Sequence, residues 1–234
     1  MTSVTAMAAA TAMTAVAAAA LLAGCASSTD DEQPAAIVVT ESTDGGQYAG
    51  IELEQPYPLP DTTLTDDNGD RIRLPADLEA PVQAYFFGYT NCPDICPLIM
   101  SDLALAVARL PADLADKVQV VLVSSDPARD DPAALRAYLE RFDPDFTGLT
   151  GDLDAIRTLA DTMGVALEEG KRLPGGGYEV AHGAQVVGYI GDRGVVVWTE
   201  RTSVEDLSSD LARMAAAADT PADAPADAAA GRGR

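Results

Sequence analysis

The sequence predicts an α/β domain in which a mixed β-sheet carries helices on both faces, with a β-hairpin added at its N-terminal side. Three observations predict it. Runs such as Val82-Gln83-Ala84-Tyr85-Phe86-Phe87 and Val118-Gln119-Val120-Val121-Leu122-Val123-Ser124 are nearly unbroken in apolar and β-branched residues, as strands buried on both faces must be. Between and after them lie segments with helical spacing of apolar residues, bounded by Asp, Pro or Gly. Ahead of the first buried strand, Asp67-Asn68-Gly69 joins two short alternating segments and signals a hairpin turn.

The elements follow in order. Thr62-Thr63-Leu64-Thr65 and Arg71-Ile72-Arg73-Leu74 form the arms of the hairpin. Strand 82–87 leads to a helix from Leu98 to Leu110, with Pro97 in its first turn, where a missing N–H costs nothing. Strand 118–124 leads to a helix from Pro132 to Phe142 that starts after Asp130-Asp131. Thr147-Gly148-Leu149-Thr150-Gly151 reads as short and extended. Asp152 to Met163 is helical, with Leu153, Ile156, Leu159 and Ala160 on its apolar side and Gly164 as its stop. Tyr178-Glu179-Val180 and Gln185 to Ile190 read as strands, the second turning at Asp192-Arg193-Gly194 into a strand from Val195 to Thr199. A last helix runs from Val204 to Ala215. This order is the thioredoxin-like plan with an added hairpin.

With 234 residues, 47% of them hydrophobic, the chain has material for one sizeable core. Met1 to Gly24 is almost wholly small or apolar and ends in Leu22-Ala23-Gly24-Cys25, which resembles the lipobox of bacterial lipoproteins. The expected organisation is therefore a signal peptide at 1–24 and a flexible acidic tether at 25–51 that begins with an acylated Cys25. The domain would occupy 52–214, and an Ala/Pro/Asp tail without order 215–234. A lipoprotein signal normally opens with basic residues, yet no Lys or Arg precedes Arg71. The formal charge of -22 excludes nucleic acid or an anionic lipid surface as a partner by repulsion, and eleven of the acidic residues precede Arg71. Export would place the domain at the extracytoplasmic face of the membrane, in an oxidising compartment.

Two thiols remain for the domain. Cys92 and Cys96 have three residues between them and stand between a buried strand and a helix, where the helix dipole and unsatisfied amides favour thiolate, the form that attacks disulfides and binds soft metals. As a purely structural disulfide the pair would close too short a loop to restrain much of the unfolded chain. His182 is the one histidine of the chain, and a lone histidine is commonly structural or solvated. Asp126 and Arg129 fit capping and ion pairing. Asp94, between the cysteines, either faces a partner, tunes a metal or is simply solvated.

The run Tyr85-Phe86-Phe87-Gly88-Tyr89-Thr90-Asn91-Cys92-Pro93-Asp94-Ile95-Cys96-Pro97 resembles the signature of the Sco/SenC family, thioredoxin-like proteins of respiratory copper delivery. Three further segments resemble the family in order: Val123 to Pro132, continued by Leu135 and Tyr138; Phe146 to Gly151; and Tyr178-Glu179-Val180-Ala181-His182 with Gly188-Tyr189-Ile190. The resemblance implies copper, as Cu(I) or Cu(II), held by Cys92, Cys96 and His182, and a redox disulfide between Cys92 and Cys96. Its implied acceptor is the CuA site of cytochrome c oxidase subunit II. A periplasmic copper donor and a thiol reductant are candidate partners beside it. Two thiolates suit Cu(I), and an added imidazole admits Cu(II). A structural zinc site would need a fourth ligand, such as Asp94. Ala181 and Gly183 stand where the family commonly has Asp and Ser, a departure that bears on affinity and redox behaviour more than on ligand identity. The alternative is a thiol–disulfide oxidoreductase with Cys92 and Cys96 as its catalytic pair, acting on the acceptor's cysteines. Delivery is favoured, because a dithiol reductase has no need of His182. A peroxidase on this fold would carry its Thr three residues before the reactive Cys, whereas Thr90 stands two before Cys92.

Overall fold

Strand pairing in the computed structural model, which describes residues 46–168, 181–182 and 184–219, follows from which runs can be buried on both faces. In chain order the elements are β1 (Ile51–Pro58), β2 (Thr62–Asp66), β3 (Arg71–Leu74), β4 (Val82–Gly88), α1 (Ile95–Ala108), α2 (Ala112–Ala115), β5 (Val118–Ser124), α3 (Pro132–Leu139), β6 (Thr147–Thr150), α4 (Leu153–Thr162), β7 (Leu167–Glu168), β8 (Ala181–His182), β9 (Val186–Ile190), β10 (Arg193–Trp198) and α5 (Val204–Ala217). Eight strands form one mixed sheet in the order β1-β10-β9-β4-β5-β6-β2-β3, and β7 pairs with β8 separately. The fold is the expected thioredoxin-like α/β arrangement, a mixed sheet flanked by helices.

Because side chains alternate along a strand, β4 and β5 feed two cores. Val82, Ala84, Phe86, Val120 and Leu122 face the side that carries the buried stripe of α1 and the apolar residues of α5. Tyr85, Phe87, Val121 and Val123 face the other side, against Ile156, Leu159 and Ala160 of α4. There the Tyr85 and Tyr189 rings meet edge to face, with centroids 5.3 Å apart. Strands β4 and β5 run parallel in a register that ends at Gly88 opposite Ser124. The loops leaving them therefore start side by side at the carboxyl edge of the sheet, where open α/β sheets place their sites.

The hairpin forms as expected, and Gly69 takes the positive φ of 91° that its turn requires. It extends the main sheet, since β2 pairs antiparallel with β6. Asp67 fastens it by accepting from Gly148 N at 3.1 Å and pairing with Arg136 of α3 at 2.9 Å.

Several boundaries differ from the sequence reading. Strand β1 was hidden by Pro56 and Pro58, which strands tolerate at an edge; β1 is an edge strand with a register shift against β10 between Glu52 and Tyr57. Helix α1 begins at Ile95 instead of Leu98, so Cys96 lies inside its first turn. Helix α3 ends at Leu139 instead of Phe142, because the N–H groups of Phe142 and Asp143 both turn back to the Leu139 carbonyl. Helix α5 continues to Ala217, three residues into the segment expected to lack order. The last hairpin turns at Gly191, with φ 61°, so Arg193 and Gly194 already belong to β10. The short α2 and the β7–β8 pair carry too few residues to show a period. The leader, Cys25, most of the tether and the strand expected at Tyr178 to Val180 lie outside the described residues.

Candidate functional site

The site grows from the end of β4. At Gly88 a Cβ would stand 2.7 Å from the Phe86 ring and 3.2 Å from Cys96 Sγ, so only glycine lets the strand pass this close to the thiol. The chain then turns, Cys92 N donating to Tyr89 O at 3.2 Å. Asp94 is the N-cap residue of α1, yet its side chain makes no capping bond and is exposed. That role is taken in part by sulfur, since Cys96 N donates to Cys92 Sγ at 3.4 Å. Cys92 and Cys96 are not joined by a disulfide. Cys96 is fully buried, and Cys92 is 8% exposed at the rim.

The electrostatics correct one expectation. The helix N-terminus does not make Cys96 acidic: burial pushes its thiol up well beyond the ordinary range, the neighbouring Cys92 and the Asp130 carboxylate add to this, and the Tyr89 backbone only partly offsets it. Burial likewise raises the phenols of Tyr89 and Tyr138, with both cysteines contributing. A cation arriving here must displace the Cys96 proton, and the gain from doing so is metal affinity that depends on pH.

Opposite the thiols, the loop after β5 is tied to the cysteine loop. Ser125 donates to Gly88 O from its N–H at 2.7 Å and its hydroxyl at 3.1 Å. Asp130, fully buried, accepts from Thr90 N at 3.0 Å, Thr90 Oγ1 at 2.6 Å and Ser124 Oγ at 2.7 Å. Asp126 and Arg129 form the ion pair expected of them, and the guanidinium lies 6.0 Å above the Tyr89 ring. Asp126 Oδ1 and the Tyr138 hydroxyl are buried without a hydrogen-bond partner.

His182 lies on β8, its backbone opposite Leu167. The chain from it enters β9, whose first residue, Val186, pairs with Phe86 near the end of β4. The topology thus returns the histidine segment to the sheet edge from which the cysteine loop leaves. Among the described residues no three His, Cys, Asp or Glu side chains gather closely enough to hold a metal. The sequence reading missed Asp130 as part of the site. Its signal was a surplus: Asp131 alone caps α3, accepting from Ala134 N at 2.8 Å, which leaves the preceding Asp without a capping task.

A thioredoxin-like sheet that presents two cysteines at a strand-to-helix turn defines a dithiol protein of that fold. The SCO1/SenC family model matches residues 55–216, and the chain belongs to this family. It is 32% identical over 111 residues to Protein sco1 of Schizosaccharomyces pombe, which covers 47% of this chain and 42% of that one. Against three such curated relatives the chain spans between 35% and 60% of their length. Among solved structures, the copper-bound ScoI of Bradyrhizobium japonicum is 31% identical with a TM-score of 0.60, covering 66% of this chain and 98% of that one. The apo Sco1 of Thermus thermophilus is 33% identical with a TM-score of 0.63, over 74% and 99%. BsSco, described with a disulfide switch and as a member of the Sco family of cytochrome c oxidase assembly proteins, shares the fold at 21% identity and a TM-score of 0.53, over 69% and 95%.

Proposed function

We propose that this chain binds copper through Cys92, Cys96 and His182 and delivers it to the CuA site of cytochrome c oxidase subunit II during assembly. The observation that carries the reading is the pairing of the two sulfurs, with Cys96 N–H directed at Cys92 Sγ at 3.4 Å and Cys96 sealed in the core. Two sulfurs held at one helix start give a soft donor pair, and β9, which starts four residues after His182, begins beside the end of β4. Family membership and the copper-bound relative support the choice of metal. Binding releases protons from the thiols, and transfer proceeds by ligand exchange, an acceptor thiolate replacing one donor at a time. A Cys92–Cys96 disulfide blocks this cycle, so a reductant must act first. Acylation of Cys25 would hold the domain at the extracytoplasmic membrane face, with residues 25–51 as tether and 52–214 as the working domain.

The asymmetry of the two thiols favours a second reading. Cys92 at the rim and Cys96 beneath it suit an attacking and a resolving thiol, so the pair could instead reduce the acceptor's cysteines. Anaerobic titration of the reduced chain with Cu(I) and Cu(II), beside His182→Ala and Cys92→Ser, separates the two. One tightly bound equivalent, with the thiolate-to-Cu(II) absorption lost in both variants, supports delivery. Weak binding indifferent to His182→Ala, together with fast disulfide reduction, sinks it and leaves the reductase.

A further inference from the structure

We propose that Asp130 is the positioning residue of the dithiol, a role that rests on the copper-binding reading and adds a part to it. The geometry is a short chain of contacts. Ser124, the last residue of β5, gives its hydroxyl to Asp130 at 2.7 Å while accepting Asp126 N at 3.0 Å, which fixes the carboxylate to the end of the sheet. Asp130 in turn takes both the N–H and the hydroxyl of Thr90, at 3.0 and 2.6 Å, so the backbone and the side chain of that residue are set by one group. Two residues on, the turn closed by Cys92 N and Tyr89 O carries the rim thiol, whose sulfur meets the first turn of α1.

A fully buried carboxylate held only to cap α3 would be a poor arrangement, because Asp131 already does that and a buried charge is costly. All three donors to Asp130 come from the cysteine loop and from the end of β5, which meet at the site. The clamp therefore holds the Cys92 sulfur in one place through loading and release, where an untethered loop would let it swing out of reach of its partner ligand.

The test uses the full chain with Thr90→Val, which removes one bond to the acid while keeping shape, Thr90→Ser, which restores it, and Ser124→Ala, which cuts the acid's anchor. Two readouts are taken: the alkylation rate of Cys92 in the reduced, metal-free chain, and the affinity and thiolate-to-Cu(II) absorption of the loaded chain. Melting temperatures are recorded beside them. The expected result is a severalfold change in the Cys92 rate and roughly a tenfold loss of copper affinity with a shifted absorption band in Thr90→Val and Ser124→Ala, and wild-type behaviour in Thr90→Ser. Unchanged alkylation in Thr90→Val and Ser124→Ala, with only their melting temperatures lowered, overturns the proposal. Wild-type protein that fails to bind copper sinks the function proposed above, while the metal-free alkylation rates still decide the role of Asp130.

Discussion

Single residues set the limits of this site. Gly88 has no room for a methyl group, since the contacts a Cβ would make are with the Phe86 ring and the Cys96 sulfur, neither of which can retreat from a packed core. Gly88→Ala is expected to cost about 1–3 kcal/mol by overpacking, measured as a lowered urea midpoint with unchanged slope. Cys96 sets a pH limit. Its folded-state pKa lies above that of the unfolded thiol, so the folded state binds the extra proton between the two values. Its contribution to stability is fully present below the unfolded thiol pKa of about 8.5 and is lost as pH rises from there through the folded value. The reduced, metal-free chain should therefore lose more stability between pH 7.5 and about 9.5 than Cys96→Ala loses over the same window. Equal losses in urea melts of the two proteins would show that the buried thiol does not govern this limb.

At the scale of elements, the anchoring of β1 gives the sharpest contrast in energies. Asp210 of α5, fully buried, accepts Ala49 N, Gly50 N and Trp198 Nε1, each at 2.9 Å, and so ties the start of β1 to α5 and β10. Asp210→Ala leaves three donors to find new partners and should cost about 3 kcal/mol or more, with faster amide exchange at Ala49 and Gly50. Arg213→Ala removes the half-exposed ion partner of Asp210 and an exposed hydrogen bond to Gln47 O at 3.0 Å, and should cost only about 1 kcal/mol. None of this anchoring could be read in the sequence, because the partners of Asp210 are set by packing between residues some 160 positions apart. What could be read was local: β4 and β5 from unbroken apolar runs, β6 as a short extended segment, α4 from its stripe and its Gly164 stop, and the hairpin from Asn68-Gly69. The thiol pair was legible for the same reason, as its spacing and its place between strand and helix are properties of one segment. Burial of Cys96 was not, since it depends on which face of α1 the sheet covers, and that reversed the inference drawn from the helix dipole. Asp130 escaped notice because Thr90, the residue it holds, lies forty positions earlier.

At the scale of the whole molecule, the proposed ligand set draws on parts of the chain that lie far apart in sequence. Cys92 lies between β4 and α1, Cys96 in the first turn of α1, and His182 on β8 just before β9, with α2, β5, α3, β6, α4 and β7 in the intervening chain. A metal held by all three residues closes a loop of most of the domain, whereas one held by the two cysteines alone closes a single helical turn. Closing the longer loop restrains more of the unfolded chain, and a ligand that binds only the native state adds RT ln(1 + [L]/Kd), about 4 kcal/mol at a thousandfold excess over Kd. Cu(I) should accordingly raise the melting temperature of the reduced chain by several degrees and leave the disulfide form unmoved, because oxidised sulfurs offer no thiolates. His182→Ala should keep part of the affinity for Cu(I), which two thiolates satisfy, but lose most of the gain in melting temperature. Calorimetry of the four samples, reduced and oxidised, with and without copper, reads this directly. A His182→Ala variant stabilised by Cu(I) as much as the parent would confine the metal to the cysteine turn and remove the histidine segment from the site.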